Sequence, residues 1–143
     1  MKHLCCGLLA IAALICPGTR GSEMFPPGLY EITTETAMPH LEENLRYAIT
    51  HERRCLRDQQ LSSAFPILNH ESLKGCKLEN ESRVQGSVTY LLICDNGHGT
   101  TGAAQWHLYA NPIRGTLNVK LGGKNMTFFQ RIVAKPLGEC PRS

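Results

Sequence analysis

The stretch CKLENESRVQGSVTYLLIC, residues 76–94, decides the fold, because its two halves meet at Gln85-Gly86. Lys77 to Val84 and Ser87 to Cys94 are strand-length runs, and a glycine between them supplies the positive φ that a tight reversal demands. The pair reads as a β-hairpin. Its second arm, VTYLLIC, is apolar on both faces and is expected to lie centrally in a sheet. Upstream, Gly28 to Thr36 alternates with Tyr30, Ile32 and Thr34 on one side. Leu45 to Cys55 alternates with Leu45, Tyr47 and Ile49 on one side. Both are read as strands with one wet face. Asp58 offers an N-cap to a short helix over Gln59 to Phe65, which Pro66 closes. Downstream come Ala103 to Ala110, Ile113 to Leu121 and Asn125 to Ala134, separated by Asn111-Pro112 and Gly122-Gly123. The expected fold is all-β: an antiparallel meander of about seven strands with one short helix, either barrel-like or a two-layer sandwich.

The chain opens differently. Lys2 and His3 precede an apolar run of thirteen residues, Leu4 to Cys16, and Pro17 comes before the small-x-small pattern Thr19-Arg20-Gly21. This is the pattern of a secretory signal over residues 1–21 with cleavage after Gly21, and the apolar run is too short to span a bilayer. Residues 22–143 then form a single antiparallel β domain. Loss of Lys2 and Arg20 leaves thirteen basic against twelve acidic residues, a net charge of +1. Charges of both signs interleave, as in His51-Glu52-Arg53-Arg54, so the chain is not expected to bind nucleic acid.

Seven cysteines are present, and three of them (Cys5, Cys6, Cys16) fall in the leader. The four that remain, Cys55, Cys76, Cys94 and Cys140, suit two disulfides in an exported domain of this size. None of their gaps is the two to four residues with which one loop supplies two zinc ligands. Strand direction suggests the pairing. If every loop is a tight reversal except the long stretch between Cys55 and Cys76, and that stretch crosses the domain, Cys55 and Cys140 meet at one end and Cys76 and Cys94 at the other. The alternative, a return at the same end, strands Cys140 beyond bonding range. A two-residue loop at Gln85-Gly86 would, however, put Cys76 and Cys94 on opposite faces. The pairing therefore also requires a bulge or a looser turn.

An ordered set of short motifs carries a resemblance. Pro26-Pro27-Gly28-Leu29-Tyr30-Glu31 opens the first strand and Met38-Pro39 follows it; Arg54-Cys55-Leu56 precedes the helix; Gly75-Cys76, Cys94 and Gly138-Glu139-Cys140 complete the set. Together they resemble the bacterial family called domain of unknown function 3617, over nearly the whole mature chain. The family usually has Trp where this chain has Tyr30, and its methionine-rich stretch is reduced here to Met38. The resemblance implies an exported (periplasmic or secreted) protein with no membrane span after processing, and it brings no catalytic residues.

A search for chemistry finds little. His40, His51, His70, His98 and His107 have no metal-ligand spacing, and Asp95-Asn96-Gly97-His98-Gly99 lacks the alternating acids of a calcium loop. No G-x-S-x-G elbow occurs, bridged cysteines offer no nucleophile, and Glu42-Glu43 and Glu79/Glu81 are acids on solvated faces. No catalytic, metal or cofactor residues are assigned, and a non-enzymatic role is expected. Were the sheet to curl, Tyr90, Trp106, Leu108, Leu117 and Phe128 could line a cavity for a small apolar ligand, or simply form core. The alternative function is a protein-docking or inhibitor-type envelope protein acting through its loops, Ala37 to Asn44 and Asp95 to Thr101.

Overall fold

The computed structural model describes residues 24–38, 47–95, 99–123 and 126–142. The expected leader over residues 1–21, Leu45, His40, His98, Glu42-Glu43 and most of both candidate docking loops lie outside the described residues. Seven strands form one antiparallel sheet: β1 (Gly28–Ala37), β2 (Tyr47–Leu56), β3 (Cys76–Val84), β4 (Ser87–Cys94), β5 (Thr101–His107), β6 (Ile113–Leu121) and β7 (Met126–Gly138), in the order β2-β1-β7-β6-β5-β4-β3. The two ends, β2 and β3, do not pair, so the sheet is open.

Five of the strands turn alternate side chains to one buried face, among them Tyr30 and Ile32 of β1, Val88 and Tyr90 of β4, Trp106 of β5, Leu117 of β6 and Ile132 of β7. An apolar face of this kind needs a second layer. Residues 57–75 supply it as three 3-10 turns, Asp58–Ser63, Pro66–Asn69 and Glu71–Leu73, whose Leu61, Phe65, Ile67 and Leu73 are buried under the sheet. The sheet curls around this strap. At ~4.8 Å per strand a flat seven-stranded sheet would be about 29 Å wide. Asp58 follows the end of β2 by two residues, yet its carboxylate binds Arg83 of β3 at 2.8 Å. Two residues and two side chains reach at most about 20 Å.

Six successive antiparallel pairings leave β2 and β3 pointing the same way, so the 57–75 segment must carry the chain from one end of the domain to the other. The crossing explains the secondary structure. A single α-helix over Gln59 to Phe65 would advance about 1.5 Å per residue, whereas 3-10 turns advance about 2.0 Å, and Pro66 starts a new turn. Asp58 is not the cap: Arg57 holds that position, and its N–H is bonded by the Gln60 side chain at 2.9 Å.

The same crossing places Cys55 beside Cys140, with Cα atoms 5.7 Å apart, and Cys76 beside Cys94 at 3.9 Å. The expected bulge is present. Glu79 opposes Leu91 and Ser82 opposes Thr89, so Asn80 and Glu81 together face Tyr90. Asn80 takes the bulge's left-handed conformation (φ 57°), while Gln85 and Gly86 form a two-residue turn with both φ positive, at 48° and 77°. Shifting the register by one residue brings the two cysteines onto the same side of the sheet.

Other boundaries and exposures depart from the reading above. β4 is flanked on both sides but is not buried on both faces: no described residue covers its outer side, and Leu91 and Ile93 are 49% and 39% exposed. Ile49, expected on a buried face, is 50% exposed because β2 is an edge strand. β5 stops at His107, where the Leu108 N–H turns back to the Gly86 carbonyl at 2.8 Å. β7 continues to Gly138, past Ala134, the last residue that β6 pairs with. That leaves one side of β7 open at Pro136, where a residue lacking an N–H is tolerated.

Trp106 is the centre of the core. It is fully buried, donates its indole N–H to the Leu61 carbonyl at 3.2 Å, and packs on Phe65 and Phe25 with ring centroids 5.4 and 6.0 Å away. Directly opposite it, Gly115 leaves the room the indole occupies, since a Cβ there would lie 2.8 Å from the ring. Gly115→Ala is expected to destabilise the protein by about 1–3 kcal/mol through overpacking and to red-shift the single tryptophan's emission; urea titration followed by fluorescence measures both. Removing Cys55–Cys140, which spans 85 residues, is expected to cost more than removing Cys76–Cys94, which spans 18. On chain-entropy grounds the costs are about 4.5 and about 3 kcal/mol, read from the urea midpoints of the two double-alanine variants.

Candidate functional site

Two places gather polar or ligand-accessible groups on the covered side of the sheet. One is a buried-edge network. Asp58 accepts the Phe25 N–H (2.8 Å) and both ends of the Arg83 guanidinium (2.8 Å each), Arg83 also reaches Glu81 at 2.9 Å, and the Tyr90 hydroxyl donates to the same Glu81 oxygen at 2.6 Å. The bulge creates this arrangement, because it turns Arg83 inward toward the strap while Glu81 faces Tyr90. Burial pushes the Asp58 carboxyl up, but the Arg83 hydrogen bonds, the Phe25 N–H and the Arg83 charge outweigh it and hold the pKa below the usual carboxylate range. Hydrogen bonds from Arg83 and then Tyr90 lower Glu81 as well. Tyr90 is raised by burial and by its bond to Glu81, and Arg83 is raised by its bonds to the two acids.

The other place is a crevice. The upper ends of β1, β6 and β7 stop above the strap and leave about 180 Å³ between them, lined by Met38, Ile67, Leu121, Met126 and Phe128 with His70 and Ser72 at the rim. The strap is fastened here by Gln130, a buried polar residue of β7. Its carbonyl oxygen accepts the Ile67 N–H at 3.2 Å and its amide donates to Thr36 of β1 at 2.8 Å. His70 Nδ1 accepts the Ser72 N–H at 3.1 Å and so caps the third turn.

Of the five residues singled out as cavity-lining, Trp106, Leu108 and Leu117 lie in the packed core, and Tyr90 buries its ring there while its hydroxyl binds Glu81. Phe128 lines the crevice. The hollow of the curled sheet is occupied by the protein's own strap. The three described histidines lie apart: His51 faces outward and shares a 3.1 Å hydrogen bond with Thr33, His70 stands at the crevice, and His107 faces outward on β5. Among the described residues no group of three or more His, Cys, Asp or Glu could hold a metal ion, and no helix is long and apolar enough to cross a membrane. Neither Asp58 nor Glu81 stood out in the sequence, since Asp58 resembles a cap and Glu81 a surface acid. Met126, Leu121 and Ile67 gave no signal beyond their apolar character, because nothing local shows that three strand ends and a turn converge.

These features define an open, disulfide-tied antiparallel sheet wrapped around a 3-10 strap. Residues 25–140 match the family described as a protein of unknown function (DUF3617), and the chain belongs to that family. No curated protein and no solved structure shows significant similarity to it.

The depressed carboxyls set an acid limit on stability. Below their ordinary value of about 4, Asp58 and Glu81 take up protons in the unfolded chain before they do in the folded one. Their contribution is thus whole above about pH 4 and is lost as the pH falls through the folded-state values. In Arg83→Gln the acid loss is expected to be shallower and the stability at pH 7 lower by about 2 kcal/mol. Urea midpoints between pH 2 and pH 7 report both.

Proposed function

We propose that the protein is an exported, non-enzymatic binding domain that holds a small apolar ligand in the crevice between the strap and the ends of β1, β6 and β7. The observation that carries this reading is the crevice itself: five apolar side chains around about 180 Å³, with His70, Ser72 and Thr127 as its polar members. Drug-sized sites begin near ~300 Å³, whereas cavities of about 150 Å³ lined by similar side chains accept a benzene-sized guest. The ligand is therefore of roughly that size. Two methionines in the wall suit it, because an unbranched thioether adapts to the shape of a guest.

Export is supported by the leader-like residues 1–21 and by the two cysteine pairs, which persist in an oxidising compartment. A binding role rather than catalysis is favoured by the titration of the Asp58–Arg83–Glu81–Tyr90 network. General acid–base work needs pKa values near the operating pH, and here the acids are held low while the tyrosine and arginine are pushed high.

Native mass spectrometry of the purified protein, with competition by a fluorescent apolar probe, tests the reading. Saturable probe binding is expected in the wild type and is expected to be lost in Leu121→Phe, which fills the crevice, with Trp106 emission unchanged. Probe binding that is absent, or that survives the filling, overturns it.

A further inference from the structure

We propose that the outer face of the sheet carries a site for a phosphate group in the depression between Arg114 and Arg131. This depression, of about 360 Å³, is bounded by Thr33 and Glu35 of β1, Arg131 of β7, Arg114 and Thr116 of β6 and His107 of β5. It lies on the opposite side of the sheet from the strap and the apolar crevice, so it stands independently of the function proposed above.

Charge distribution points to it first. Across the chain as a whole the charges nearly balance, but Thr101 to Gly138 contains five Lys or Arg and no Asp or Glu. On β6 and β7 these become outward-facing side chains, Arg114, Lys120, Arg131 and Lys135. The nearest carboxylates come from β1, where Glu35 opposes Arg131 and Glu31 opposes Lys135. The surface is locally basic and would attract an anion from solution.

Geometry narrows the ligand. Arg114 opposes His107 directly across the β5–β6 ladder. Among the described residues neither side chain has an ion-pair partner or a hydrogen bond. Arg131 is positioned in advance. Its guanidinium lies 4.6 Å from the centre of the Phe129 ring, and Glu35 approaches only to 3.8 Å, too far for a hydrogen bond. Arg131 makes no side-chain hydrogen bond among the described residues, and the Glu35 carboxylate shares the depression with it. Arg131 opposes Thr116, two residues from Arg114, so the two arginines sit diagonally on adjacent strands about 7–8 Å apart at the backbone, and both bound the depression. Two bidentate donors from different directions, with threonine hydroxyls beside them, suit a tetrahedral, multiply charged oxyanion better than a single flat carboxylate.

That chemistry is shared by a free phosphate compound and by the headgroup of an anionic lipid, and the test separates the two. The ¹⁵N-labelled protein is titrated with inorganic phosphate at constant ionic strength, and in parallel is sedimented with vesicles of phosphatidylglycerol or of net-neutral phosphatidylcholine. Saturable shifts at His107, Arg114, Thr116 and Arg131, or selective sedimentation with phosphatidylglycerol, are expected. Either response should weaken by about tenfold or more in Arg114→Gln/Arg131→Gln, a loss of 1.4 kcal/mol or more, while Trp106 emission shows the fold intact. A response to phosphate assigns a free ligand, and a response to vesicles alone assigns a lipid headgroup. No response in either arm, or one unchanged in the double variant, overturns the proposal.

Discussion

An open sheet with one apolar face must find something to cover it, and here most of the cover among the described residues is the chain's own 57–75 segment, with Phe25 beside it. That constraint organises the rest of the molecule. Because β2 and β3 run in the same direction, the segment has to traverse the domain. Because it traverses, its apolar residues Leu61, Phe65, Ile67 and Leu73 can lie along the length of the sheet and be buried there. The sheet curls to meet it, and the Asp58–Arg83 pair, with each side chain at most 20% exposed, ties the start of the strap to the far edge. A partly buried pair of this kind does more to fix geometry than to add net stability, since desolvation offsets much of the attraction.

An open sheet also has two edges, which are a hazard if left bare. Both are fastened covalently. Cys55 in β2 is joined to Cys140 beyond β7, and Cys76 in β3 to Cys94 in β4. Both edges also carry mixed charge, His51-Glu52-Arg53-Arg54 on one and Lys77, Glu79, Glu81 and Arg83 on the other, with the bulge at Asn80 interrupting the second. The disulfides thus do for this fold what closure does for a barrel.

The sheet's two faces differ in chemistry. On the covered side, the strap stops short of the strand ends and leaves a small apolar crevice, held open by Gln130 bridging Ile67 and Thr36. On the outer side, no described residue packs over the sheet, and strands that contain no acid display arginines around a second depression. The two depressions would recognise unlike groups.

Much of the fold could be read locally. Alternation located β1, β6 and most of β7, Gln85-Gly86 marked the hairpin, and direction parity with four cysteines led to both pairings and to the need for a bulge. Local pattern could not say what lay above a given face, so Leu91, Ile93 and Ile49 looked buried and are not. It could not distinguish a helix from 3-10 turns either, since the crossing distance, not the propensity of residues 59–65, decides between them. Nor could it assemble either depression, because Met38, Ile67 and Met126, like Arg114 and Arg131, become neighbours only through strand register and the curl of the sheet. What the amino-acid order determined by itself was therefore the set of strands, their turns and their crosslinks, all governed by short-range sterics and spacing. The open edge, the filled hollow and the binding surfaces were decided by tertiary structure, because each depends on where distant segments stop relative to one another.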